Sequence, residues 1–179
     1  HNLILIIDNC FATPYIQQPI KWGAHLVVHS ATKLIDGQGR VLGGVTVGSA
    51  DLIKEIYLFS RLTGPALSPF NAWVLSKSLE TLAVRVEKHC DNALKVAEFL
   101  EKHPNVNQVK YPFLKSHPQH EIAKKQMILG GNIVAFEIKG GLDAGRAFID
   151  KIRLCSLSPN LGDTRTIVTH PASRTHSKL

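Results

Sequence analysis

Cysteine is scarce in this chain: three among 179 residues, Cys10, Cys90 and Cys155. Each falls in or near an apolar segment, and none has the paired spacing of a zinc site or a disulfide framework. That excludes a disulfide-stapled scaffold and fits a reducing, cytoplasmic setting. Long hydrophobic runs are missing too. No uninterrupted apolar stretch approaches the roughly 18 to 20 residues that cross a bilayer, and the opening His1-Asn2-Leu3-Ile4 lacks the order of a signal peptide. A soluble protein with no membrane partner is expected. Internal repeats and low-complexity tracts are absent. Nucleotide fingerprints are absent as well, because Gly37-x-Gly39 is followed by Gly43 at the wrong interval for a dinucleotide loop and no Walker lysine accompanies it.

The charge balance is positive, +7 from 21 Lys and Arg against 14 Asp and Glu. The basic residues are scattered, however. Lys54, Arg61, Lys77, Arg85, Lys88, Lys95 and Lys102 are interleaved with Glu55, Glu80, Glu87, Glu98 and Glu101, as on a solvated helical face. With neither a basic stripe nor aromatic interleaving, a nucleic-acid partner is not expected. Small anionic substrates are compatible with such a field.

What is present is enough for a real core: 44% of the residues are hydrophobic, in a length that suits one domain or two modest ones. Leu3 to Ile7 is a continuous aliphatic run, the pattern of a parallel strand covered on both faces, and it ends at Asp8. Asn9 to Ile20, broken by Pro14 and Pro19, reads as a connection with one short helical turn. Ala24 to Val28 and Gly44 to Val47-Gly48 read as further strands on either side of a glycine-rich segment, Gly37 to Gly44. Such runs argue for a doubly wound α/β sheet, whose ligands gather at the carboxyl ends of strands.

Ser49 is placed to cap a helix over Leu52 to Phe59, and Ser68-Pro69 to start another. Apolar positions then recur at helical spacing from Trp73 through Leu82 and Val86 to Leu100, a pattern too long for one helix without a bend. After Pro104 the expected order is a strand over Val106 to Tyr111, a helix over His120 to Leu129 and a strand over Ile133 to Lys139. A helix over Asp143 to Ile152 and strands at Leu154 to Leu157 and Thr166 to Thr169 complete a smaller α+β lobe.

The chemistry concentrates at His29-Ser30-Ala31-Thr32-Lys33, directly after the apolar Leu26-Val27-Val28. A lysine beside two hydroxyls at a strand end is a candidate covalent cofactor site, because desolvation or nearby positive charge turns a lysine into a nucleophile toward carbonyls. Pyridoxal phosphate, held as a Schiff base to Lys33, has two further needs. Its ring nitrogen needs an anion, which Asp8 at the end of a neighbouring strand supplies. Its phosphate needs hydroxyl and N–H donors, and Ser30 and Thr32, two residues apart, can face it together. Cys10, two residues past Asp8, reads as a small buried filler rather than a reactive thiol. The glycine-rich segment reads as tight backbone packing next to the site. His117, His120, His170 and His176 lack a carboxylate or cysteine at ligand spacing, so no metal is expected and they read as packing or loop residues.

Together, Asp8-Asn9-Cys10-Phe11-Ala12-Thr13-Pro14, Gln17-Gln18-Pro19, His29 to Lys33, Gly43-Gly44, Asn160-Leu161-Gly162-Asp163 and Thr169-His170-Pro171-Ala172-Ser173-x-Thr175-His176 resemble the γ-family of pyridoxal phosphate enzymes of methionine and cysteine metabolism. The likeness runs almost end to end. It implies a fold-type I transferase, with residues 1–80 the C-terminal part of the cofactor-binding large domain and its mostly parallel sheet. Residues 81–179 would be most of the smaller α+β domain, joined through the long helix. The resemblance gives Asp8 the pyridine nitrogen, Lys33 the Schiff base and the proton transfers, and Ser30 and Thr32 the phosphate.

Three segments, Asp36 to Arg40, Gly64-Pro65-x-Leu67 to Trp73, and Ser116 to Glu121, resemble the sulfhydrylase subgroup that acts on O-succinylhomoserine. Asn160 supports that, since lyases and cystathionine synthases usually carry serine there. Its amide can hydrogen-bond a substrate carboxylate through NH2. The implied reaction is γ-replacement of succinate by sulfide to give homocysteine. Cystathionine γ-synthase or a methionine or cystathionine γ-lyase are the alternatives within the family, and a non-catalytic basic binding module is the alternative outside it. The resemblance also implies a homotetramer, with cofactor and substrate groups contributed from beyond both ends of this sequence. The chain therefore reads as an internal piece of a longer protein, not competent for catalysis alone.

Overall fold

The computed structural model describes residues 3–174; Thr175 and His176 of the last motif lie outside them. Strand β1 (Ile6–Asp8) pairs in parallel with β2 (Leu26–Ser30), Asp8 lying opposite Val28. Between them run helix α1 (Thr13–Ile16) and a 3-10 turn at Pro19–Trp22, each with a proline in its first turn, where the fixed φ suits a helix. Strand β3 (Gly44–Gly48) then joins the other edge of β2, but antiparallel, with Ser30 opposite Gly44.

The reversal has a local cause. Thr32 Oγ1 donates to the Gly43 carbonyl and accepts from the Gly43 N–H. This returns the chain to the end of β2 that it has just left, with no crossover helix to make the pairing parallel. The expectation that Leu3 to Ile7 is covered on both faces is corrected here: Leu3 is 74% and Ile6 55% exposed, and β1 is an edge strand that pairs only with β2 among the described residues.

Helix α2 (Ala50–Thr63) runs from Ser49, whose side chain makes no capping bond, to a left-handed Gly64. It buries none of its residues. The expected long helix is two, α3 (Pro69–Leu79) and α4 (Leu82–Glu101), bent at Glu80-Thr81. No proline causes this bend. Ser78 turns its hydroxyl back onto the Val74 carbonyl, a habit that bends helices, while Arg85 reaches across the break to Ser78 O and Thr81 Oγ1.

Helix α4 carries the core stripe Leu82, Val86, Cys90, Ala93 and Ala97 at spacings of four, four, three and four. Its first half packs on Ile16 of α1 and its second on Tyr111 and Leu114. One helix thus ties the first three strands to the C-terminal lobe. In that lobe, β4 (Val106–Lys110) pairs antiparallel with β5 (Ala135–Ile138), and α5 (His120–Gln126) and α6 (Gly141–Lys151) flank them. Two short strands, β6 (Ser156–Leu157) and β7 (Ile167–Val168), pair in parallel and hold between them the loop of Asn160.

Candidate active site

The adjacent parallel strands β1 and β2 end side by side, which brings Asp8 and Ser30 to Lys33 to one edge, as their sequence positions foretold. Asp8 is exposed there. Its Oδ1 accepts the Cys10 N–H at 3.0 Å. Hydrogen bonds from the Cys10 side chain first, and from its backbone second, hold the carboxyl below the ordinary carboxylate value. Asp8 is thereby an anion with no lysine or arginine ion-pair partner among the described residues, as a cationic ring nitrogen requires.

Past Ser30 the chain enters a short π-helical stretch, Ala31–Ile35, broken at Lys33 itself, whose φ of −86° and ψ of −124° are not helical. The kink turns the lysine out of the helical path. Its Nζ donates to Asn160 Oδ1 at 2.6 Å, a charge-assisted bond that leaves the NH2 of the amide without a partner among the described residues. Two predicted residues 127 positions apart in sequence are thus in direct contact.

The phosphate candidates are placed differently. The Ser30 hydroxyl makes no hydrogen bond among the described residues, whereas Thr32 is engaged on both sides by Gly43. An anion there would have to take the Thr32 hydroxyl proton from the Gly43 carbonyl, a bond already long at 3.3 Å. A small cavity of about 130 Å³ opens beside them, lined by Thr32, Gly39, Arg40, Val41, Leu42 and Asn160.

Three features beyond the sequence reading shape this edge. Gly162, with a φ of +87°, lies so close to the kink that a Cβ on it would be 2.6 Å from the Lys33 carbonyl carbon and the Leu34 nitrogen. The loop of Asn160 can approach the lysine only because this residue is glycine. That loop is in turn pinned by buried Asp163, which accepts from the side chain and backbone of Arg165. These bonds bring its carboxyl down to about 2. Beneath, Asp36, 0% exposed, accepts from the backbone and guanidinium of Arg40, while Arg85 donates to the carbonyls of Leu34 and Ile35. The third feature is Cys10, half-buried as a filler would be, but with its sulfur accepting the Ser30 N–H. The glycine-rich segment packs tightly as expected, a Cβ on Gly43 falling 2.7 Å from Leu75.

His117 and His170 turn their ring nitrogens onto nearby residues, and His120 packs on Phe113. Among the described residues no group of three or more His, Cys, Asp or Glu could hold a metal, and no helix is long and apolar enough to cross a membrane.

The profile of the family described as Cys/Met metabolism PLP-dependent enzyme matches residues 1–179. The O-succinylhomoserine sulfhydrylase of Pseudomonas aeruginosa is 52% identical over 176 residues, 98% of this chain and 44% of that protein. The L-methionine gamma-lyase of Porphyromonas gingivalis is likewise 52% identical, over 97% of this chain and 44% of its own length. The crystal structure of cystathionine gamma synthase from Xanthomonas oryzae pv. oryzae, in complex with aminoacrylate and cysteine, superposes with a TM-score of 0.95 at 38% identity, over 99% of this chain and 46% of that one. The chain spans less than half the length of these relatives. The donor set fits the family's cofactor: an amine at a kinked strand end, a carboxylate held ionised at the end of the adjacent parallel strand, and the Ser30 hydroxyl without a hydrogen bond among the described residues.

Proposed function

The chain belongs to the Cys/Met metabolism PLP-dependent enzymes, and on that premise we propose that the intact protein catalyses γ-replacement on O-succinylhomoserine with sulfide, giving homocysteine and succinate. The observation that carries the reading is the Lys33–Asn160 contact. It sets the candidate nucleophile against an amide whose NH2 remains to receive a substrate carboxylate. The sulfhydrylase among the relatives supports the choice of leaving group and acceptor.

The cofactor, when bound, supplies an electron sink for carbanions formed on the substrate. Lys33 Nζ would anchor it and would carry protons between the α and β carbons of the substrate. Asp8, held ionised, would face the ring nitrogen. The Ser30 and Thr32 hydroxyls would receive the phosphate, and Asn160 Nδ2 would donate to the substrate carboxylate. Residues 1–80 serve as the C-terminal part of the cofactor-binding domain and residues 81–179 as most of the smaller domain. The working protein is a cytoplasmic homotetramer.

A second reading, γ-elimination, is favoured by the equal identity to a methionine γ-lyase. The intact protein separates them. Given O-succinylhomoserine and sulfide it should release homocysteine and succinate together, and without sulfide it should be slow. Rapid formation of a 2-oxo acid and ammonia from methionine, with no acceptor present, would overturn the sulfhydrylase assignment.

A further inference from the structure

We propose that Cys10 is a positioning residue of the cofactor site, a hydrogen-bonded bridge that fixes Asp8 relative to the Ser30–Lys33 segment. The inference rests on the proposed function, in which Asp8 and Lys33 hold the cofactor. The strand ends pose a geometric difficulty. A cofactor clasped between them needs its carboxylate and its lysine at a fixed separation, yet Asp8 and Lys33 belong to different strands, and the last ladder pair is Asp8 with Val28. Beyond Val28 the ladder offers only the Asn9 N–H to the Val28 carbonyl. From there β2 runs on through His29 to Ser30 with no strand neighbour on that side among the described residues.

Cys10 fills the interval in two ways. Its backbone N–H donates to Asp8 Oδ1 and its sulfur accepts the N–H of Ser30. One residue thus touches both the anion meant for the ring nitrogen and the segment meant for the phosphate. The side chain has to accept that N–H. A thiol can, and so can a hydroxyl; an aliphatic side chain of similar volume cannot. Partial burial and the neighbouring carboxylate push the Cys10 thiol upward, away from the nucleophilic thiolate. Its role is therefore to orient, not to attack.

Each lost hydrogen bond of this kind is worth about fivefold in an equilibrium. The test uses the intact protein stripped of cofactor and titrated with pyridoxal phosphate, comparing wild type, Cys10→Ser, Cys10→Ala and Cys10→Val. Cys10→Val and Cys10→Ala should each weaken cofactor affinity by about fivefold or more. They should also move the pH midpoint of the visible band of the lysine-bound cofactor upward, as for a ring nitrogen held less firmly positive. Cys10→Ser should recover most of both. The pH midpoint is the decisive readout, because general loosening of the fold would lower occupancy without moving it. Equal affinities and midpoints across the four proteins would overturn the proposal, as would a Cys10→Ser variant no better than Cys10→Ala. If wild type itself develops no visible band, the cofactor reading fails, not the role of Cys10 within it.

Discussion

Lys33 and Asn160 stand 127 positions apart in the chain, yet Nζ and Oδ1 are 2.6 Å apart in space. The contact joins the end of β2 to the loop between β6 and β7, and so makes one site of two halves of the sequence. Its strength gives a first prediction. A hydrogen bond to a charged group is worth about 1.5–3 kcal/mol, so Asn160→Ala should lower kcat/KM of the intact enzyme by roughly 10- to 100-fold. Asn160→Ser should lose less, since its hydroxyl can still accept from the lysine. Steady-state rates with O-succinylhomoserine and sulfide check both.

Gly162 permits that contact, and its replacement should abolish it. In Gly162→Ala the new methyl would meet the Lys33 and Leu34 backbone at 2.6 Å, at a φ of +87°. The left-handed backbone alone costs roughly 1–2 kcal/mol, and the clash adds to it. The variant should bind cofactor poorly and melt earlier than wild type, measured by thermal unfolding with and without pyridoxal phosphate.

Buried Asp36 is held by Arg40, with Arg85 close by on the carbonyls of Leu34 and Ile35. Removing one partner of a buried pair leaves an uncompensated charge and costs about 3–5 kcal/mol. Arg40 is itself 41% exposed in its side chain, so the lower end of that range applies to Asp36→Asn. Urea unfolding of the variant should show a clear loss of stability with an unchanged slope.

Acidification should destabilise the fold through two histidines. Burial holds His29 and His89 below the ordinary histidine value. The folded state therefore binds their protons more weakly than the unfolded chain does. Their contribution is fully present above the unfolded value of about 6.5 and is lost as pH falls from there through the folded values. His29 is the stronger case, because its Nδ1 is buried with no hydrogen-bond partner among the described residues. Unfolding free energies measured at about pH 7.5 and pH 5.5 should fall toward acid, and the fall should shrink in His29→Asn.

Much of this was legible in the sequence, and the exceptions have physical causes. Asp8, Lys33 and the strand ends that carry them follow from apolar runs bounded by polar residues, a local signal. The bend between α3 and α4 was readable as excess length. The antiparallel turn of β3 was not, because it depends on a hydroxyl, Thr32, choosing the Gly43 backbone. Leu3 to Ile6 carry the pattern of a buried strand but lie exposed at a sheet edge, for a hydrophobic pattern records what a residue packs against, not whether this stretch of chain supplies it. Gly162 and Cys10 escaped a role because their effects lie in approach distances. A glycine in a loop and a cysteine after a strand look ordinary until the backbone they touch is known.

Lys33 should be the residue to which the cofactor is joined in the intact protein. Borohydride reduction of the cofactor-loaded protein, followed by proteolysis and mass spectrometry, locates the bond. The added phosphopyridoxyl mass should lie on the peptide containing Lys33 and be absent from Lys33→Ala. Label on another lysine, or a visible cofactor band and label that persist in Lys33→Ala, would contradict it.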